Sequence, residues 1–289
     1  TMNTNMLMLY AKALVPKIEA SKRMVLSQPL QAEPLHDGVP QMPKEHSSLS
    51  VKISPKHNMA YNMLTHWQPS LVAHIHPCYV QTLSLNQQLG MMVDKAFPFS
   101  PLGTVHVANQ ITVDCLPKQN DEIQLNTSFG KVYFHKRGWL FELVTTACIN
   151  NKDTPAVIAT SFYLTRCRHA RKVTMQNLQT APDWVVQAFR NDSSNEYQEH
   201  SDAALGDITP IVSQSKLTFN ADIGRKYARI SGDYNPIHLH AASAKLFGFK
   251  KAIAHGMYSK ALVLSNVADD VDFYQHRFTV ETVFSKALT

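Results

Sequence analysis

The chain has 289 residues, with 28 Lys plus Arg against 22 Asp plus Glu, a formal charge of +6. That length gives one large or two ordinary domains, each able to bury a core. Apolar residues make up 44% and charged residues 17%, against about 25% charged in ordinary soluble domains, which excludes a disordered or charge-tailed chain, and no apolar run approaches the ~18 residues that cross a bilayer.

In chain order, a helical pattern at 6–22 precedes a stretch at 27–56 that holds Pro29, Pro34, Pro40, Pro43 and Pro55, too broken for a long helix and read as an extended lead-in. From Ser54 the pattern becomes compact, with a helix near 58–65 and a longer one over 80–95. Four strand-like segments follow at 104–116, 122–133, 138–150 and 156–165. Turn chemistry separates them at Lys118-Gln119-Asn120-Asp121, Lys136-Arg137-Gly138 and Asn150-Asn151-Lys152-Asp153. One helix followed by an antiparallel meander is the implied unit. A polar linker, 169–206, carries one short amphipathic helix at 183–189. The pattern then restarts with a strand at 211–219, a helix from a cap at Asn220 to Ile230, a short helix at 241–247 stopped by Gly248, a longer helix at 256–268 and a strand at 278–288.

The halves share this order and a local echo: His76-Pro77-Cys78 and His255-Gly256-Met257 each open the main helix of their half. A degenerate duplication with a long period is expected. From His76 to the end of the first meander at Arg166 is 90 residues, whereas His255 to Thr289 is 34, leaving room for one strand where the first half has four. The expectation drawn from that count is a second unit that stops short, with an unpaired strand edge and an apolar helix face (Ala261, Leu262, Val263, Val267) needing cover. Either about 50 further residues or a second copy of the chain, in a homodimer, would supply it.

The most informative stretch is YARISGDYNPIHLH (227–240), followed by AIAHGM (252–257). Ser231-Gly232-Asp233 ends one helix, and Asn235-Pro236 forces an extended turn before the next. Such a turn holds a carboxylate, Asp233, and an imidazole, His238, five positions apart and facing one space, the parts for acid and base work on a water near neutral pH. Asn235 can orient either group through its amide. Gly256 at a helix start presents unpaired N–H groups to an anion or developing oxyanion. The plainer alternatives are that Asp233 and Asn235 only cap the next helix, that His238 and His240 are surface residues, and that Gly256 serves close packing.

The pattern Y-A-x-I-S-G-D-x-N-P-I-H followed by A-I-A-H-G-M resembles the signature of the MaoC-like dehydratases, also called R-specific enoyl-CoA hydratases or hydratase 2. In the first half His76-Pro77-Cys78-Tyr79, the Phe97-Pro98-Phe99 turn and the run from Gly103 to Asn109 resemble the non-catalytic domain of two-domain members. The resemblance implies an α+β double hot-dog, two antiparallel sheets each wrapped around a long helix. It divides the chain into a lead-in at 1–50, a non-catalytic hot-dog at 51–168, a linker at 169–206 and a catalytic hot-dog at 207–289 that looks incomplete at its C-terminus. It implies that Asp233 and His238 are catalytic, that Gly256 supplies an oxyanion N–H and that Asn235 supports them.

The implied reaction is reversible hydration of trans-2-enoyl thioesters of CoA or acyl carrier protein, a hydro-lyase activity of fatty acid metabolism that needs no metal, flavin or nicotinamide. The first half lacks G-D-x-N-P-x-H and is expected to be silent, a wall for an acyl tunnel. Its His74-x-His76 and Cys78 lack a third ligand for a metal, and Met91 and Met92 belong to core or tunnel wall. Lys245, Lys250 and Lys251 precede the H-G-M turn and can face the phosphates of CoA, although solvated lysines are the commoner case. A hot-dog protein that binds acyl thioesters without turning them over, and a thioesterase, are the alternatives. The basic residues are too scattered for nucleic acid. The start has no basic residue before the apolar stretch 6–11, so no secretory signal or membrane is expected, and Cys78, Cys115, Cys148 and Cys167 form no C-x-x-C, so the cytoplasm is the expected compartment.

Overall fold

The computed structural model describes residues 39–68, 75–101, 104–135, 137–166, 181–190, 220–268, 271, 273–274 and 276–284. The helix expected at 6–22, the strand expected at 211–219, His74, Gly103, Cys167 and most of the linker lie outside them.

Its elements are β1 (His46–Lys52), α1 (Pro55–Thr65), α2 (Tyr79–Met92), β2 (Val105–Val113), β3 (Glu122–His135), β4 (Gly138–Ile149), β5 (Val157–Arg166), α3 (Asp183–Arg190), α4 (Ile223–Ser231), a 3-10 turn (Pro236–His238), α5 (Ala241–Lys245), α6 (Gly256–Asn266) and β6 (Phe278–Val283). Local chemistry accounts for the boundaries. Ser54 caps α1 by accepting from the His57 N–H, and Pro55 takes the first helical position, so the last proline of the lead-in starts a helix three residues before the expected point. Asn120, Asn150 and Asn151 occupy the left-handed region in the turns flanking β3 and β4.

The sheet differs from the expected meander. All six strands are antiparallel in the order β1-β3-β4-β5-β2-β6. β3, β4 and β5 are consecutive neighbours, but β2 lies beyond β5. There it has β5 on one side and β6 of the second half on the other. The seven residues of β1, treated by sequence as lead-in and domain start, pair with β3 along their whole length. β6 therefore continues the first half's sheet, and the edge it turns to β2 is covered from within this chain.

Helix α2 is buried almost all round because the sheet curls about it. Tyr79, Val80, Leu89 and Met92 are buried, and polar Gln81, Ser84 and Gln88 are buried with them. Gln88 offsets its desolvation by donating to Ser84 and Thr145 and accepting from Gln81 and from the Tyr163 hydroxyl at 3.0 Å. α6 is the corresponding helix of the second half and packs against α1 and the β2–β6 seam, with Ala261 and Leu262 buried but Val263 49% exposed. One side chain locks it there. Lys260 is 2% exposed, and its ammonium donates to the Asn109 carbonyl, the Asn109 side-chain oxygen and the Val280 carbonyl at 2.7–3.1 Å. Burial lowers its pKa to about 8. No helix among the described residues is long and apolar enough to cross a membrane.

Candidate active site

Helix α4 buries Gly224, Tyr227, Ala228 and Ser231, the i, i+3, i+4, i+7 face of an amphipathic helix. It stops at Gly232, whose φ of +79° is the left-handed cap that only glycine adopts without strain. The N-terminal cap expected at Asn220 lies two residues further on: the helix begins at Ile223 after Asp222, whose carboxylate pairs with Lys226 at 3.0 Å. Beyond Gly232 the chain folds on its own side chains. The Asp233 N–H donates to Ser231 Oγ at 3.1 Å, the Asn235 N–H to Asp233 Oδ1 at 3.1 Å, and the Ile237 N–H to Asn235 Oδ1 at 3.4 Å. Asn235 thus holds the Asp233 carboxylate through its backbone and caps the 3-10 turn through its side-chain oxygen. Its capping role is real, and it sets the aim of both neighbours.

That turn ends on His238. Its Nδ1–H donates to the Ile253 carbonyl at 2.8 Å, which leaves Nε2 with a lone pair. The rings of His238 and His255 stack at 3.7 Å between centroids, and His255 Nε2–H donates to the Asp233 carbonyl at 2.9 Å with Asp233 Oδ2 at 3.8 Å. Asp233, His238 and His255 bring ligand-type atoms within 4.8 Å of one another. One nitrogen of each ring is committed to a backbone carbonyl, which leaves the cluster one carboxylate and one further nitrogen on each imidazole. Both imidazoles are neutral at physiological pH. Burial lowers the pKa of His238 against the pull of Asp233, and burial with the adjacent His238 lowers that of His255 to about 3. The expected pair is therefore brought together, with His255 as a third member that sequence reading saw only as part of the helix-opening echo.

Two glycines allow this assembly. A Cβ on Gly224 would lie 2.0 Å from the His238 carbonyl oxygen, so α4 reaches the 233–238 turn only because residue 224 has no side chain. A Cβ on Gly256 would meet ring carbons of Phe284 at 2.8–2.9 Å. Close packing is thus one requirement at Gly256, alongside its place as first residue of α6, where the backbone N–H groups face outward along the axis.

Lys245, Lys250 and Lys251 are exposed, on an excursion from Leu239 to Ala252. It is tied to the 233–238 turn through the Ile253 N–H to the Ile237 carbonyl at 3.1 Å and Ser243 Oγ to the Pro236 carbonyl at 2.7 Å. In the first half His76 is fully engaged, donating from Nε2 to the Ala261 carbonyl and accepting from the Cys78 N–H at Nδ1. It ties the start of α2 to the middle of α6.

Residues 208–283 match the family model described as MaoC like domain. Among curated proteins, 3-hydroxyacyl-thioester dehydratase X of Mycobacterium tuberculosis is 29% identical over 189 residues, which are 65% of this chain and 58% of that protein. The chain thus spans rather more than half the length of this relative. Among solved structures, HtdX of Mycobacterium tuberculosis superposes with a TM-score of 0.62 at 22% identity over 84% of each chain. A MaoC-like dehydratase from Phytophthora capsici superposes with a TM-score of 0.59 at 15% identity over 85% of this chain and 82% of that one. The fold is the α+β hot-dog of these proteins.

Proposed function

We propose that this chain, a member of the MaoC-like dehydratases by its 208–283 domain, catalyses the reversible addition of water to trans-2-enoyl thioesters. One observation supports the reading: Asp233 and His238 offer ligand-type atoms within 4.8 Å of each other, and His238, with its Nδ1 proton held on the Ile253 carbonyl, keeps a lone pair on Nε2 for a water. As the water oxygen attacks C3, one of the pair takes a proton from it, and that proton is then passed on to C2, so that one water is added in all and both groups end in the protonation state they began with. Negative charge then gathers on the thioester oxygen, where the N–H of Gly256 at the start of α6 stabilises it. Run backwards, the same groups dehydrate an R-3-hydroxyacyl thioester. The reaction draws on no metal, flavin or nicotinamide.

The acyl carrier is CoA or acyl carrier protein. Lys245, Lys250 and Lys251, on the excursion that starts and ends at the catalytic turn, face its phosphates in this proposal. Replacing all three with Gln is expected to raise KM for crotonyl-CoA several-fold and flatten its salt dependence; an unchanged KM at low salt removes them as contacts. The reading itself is tested by incubating the protein with crotonyl-CoA and identifying the product. Loss of enoyl absorbance with formation of R-3-hydroxybutyryl-CoA is the expected result. Release of free thiol would make the protein a thioesterase, and binding without turnover would leave an acyl-thioester carrier.

A further inference from the structure

The first half, expected to be silent, places one titratable side chain beside the site. His106 lies on β2, and the register against β5 slips between His106 and Ala108, a bulge. Bulges re-aim side chains and gather next to active sites. Here the bulged residue, Val107, turns its carbonyl to accept the Phe284 N–H at 2.8 Å. The His106 ring is thereby clamped, stacked on Tyr163 at 4.6 Å and edge-on to Phe284 at 5.1 Å. Phe284 in turn lies against Gly256, and Tyr234, next to Asp233, packs on the cluster that contains Tyr163. The imidazole is therefore linked to Gly256 through Phe284 and, through Tyr163, to the cluster on which Tyr234 packs.

Its hydrogen bonding is incomplete in an informative way. Nε2 is buried with no partner among the described residues. A desolvated nitrogen left without a partner is costly, and where it persists it commonly serves a ligand. Burial lowers the pKa of His106 to about 3, with the Asp233 carboxylate opposing, so at neutral pH the ring is uncharged and Nε2 offers a lone pair. A water poised for attack has two hydrogens. One leaves to the base and the other stays on the new hydroxyl, and that second hydrogen needs an acceptor if the oxygen lone pair is to point at C3.

We propose that His106 of the first half is a substrate-contacting residue of this site, whose Nε2 accepts a hydrogen bond from the attacking water and from the 3-hydroxyl of the product. This rests on the hydratase reading above. Two variants separate contact from architecture: His106→Phe keeps the aromatic stack and removes the lone pair, and His106→Gln restores an acceptor. Binding is measured by calorimetry with R-3-hydroxybutyryl-CoA and with butyryl-CoA, which has no oxygen at C3. His106→Phe is expected to weaken R-3-hydroxybutyryl-CoA about tenfold, the worth of one hydrogen bond, and to leave butyryl-CoA unchanged, with His106→Gln recovering part of the loss. Equal weakening of both ligands, or of neither, overturns the inference. If the wild-type protein fails to hydrate crotonyl-CoA the reading beneath it fails instead, and the inference falls with it.

Discussion

His238 owes its readiness to accept a proton to where its own proton is held. The Ile253 carbonyl fixes the proton on Nδ1, burial keeps the ring neutral, and the His255 stack fixes its plane. Asn235 controls this arrangement without having to touch substrate, because its side-chain oxygen caps the turn that carries His238. Asn235→Ala is expected to cost about 1 kcal/mol of stability, a typical cap loss, and to lower kcat about tenfold with little change in KM. Asn235→Asp, which keeps the acceptor, should recover most of the rate. Loss confined to KM would place Asn235 on the substrate rather than beneath the turn.

Among the elements, α4 matters most, because it delivers Gly232 and Asp233 at its end and supports His238 from its start. The contact at Gly224 leaves no room for a methyl group. Gly224→Ala is therefore expected to push the 3-10 turn away and reduce kcat/KM at least tenfold. Circular dichroism should remain native, and full activity would show that the turn is free to shift. The turn that carries the candidate site was legible in sequence because its contacts are local: Asp233, Asn235 and His238 lie within six residues, punctuated by Gly232 and Pro236. His106 was not, since Asp233 is 127 positions further on and a strand residue gives no local sign of what its sheet faces. The place of β2 was hidden for the same reason. Alternation of apolar and polar residues identifies a strand but not its neighbours, and only the seam with β6 explains why β2 lies outside the meander.

Over the whole molecule, buried neutral histidines dominate the response to acid. Burial lowers His76, His106 and His255 each from 6.5 to about 3. The unfolded chain binds these protons below pH 6.5 and the folded chain does not, so their stabilising contribution is complete above 6.5 and is lost progressively as pH falls towards 3. Each group contributes about 1.4 kcal/mol per pH unit in that window, and three together about 4 kcal/mol for every pH unit, steep beside a total stability of about 5–15 kcal/mol. The urea midpoint is expected to hold between pH 8 and 7 and to fall steeply between pH 6 and 4.5. A midpoint unchanged down to pH 4.5 would mean that these rings are protonated, or accessible, in the folded protein.

The claim on which the rest depends is that Asp233 and His238 act on one water. Its most direct measurement is the initial rate of crotonyl-CoA hydration by the wild-type protein, Asp233→Asn and His238→Ala, each first shown to melt like the wild type. Asp233→Asn keeps the residue's place in the turn and His238→Ala removes the imidazole; both take away proton chemistry, and each is expected to lower kcat at least ~100-fold, the low end of general acid–base contributions. Retention of more than about a tenth of the wild-type rate by either variant would contradict the account.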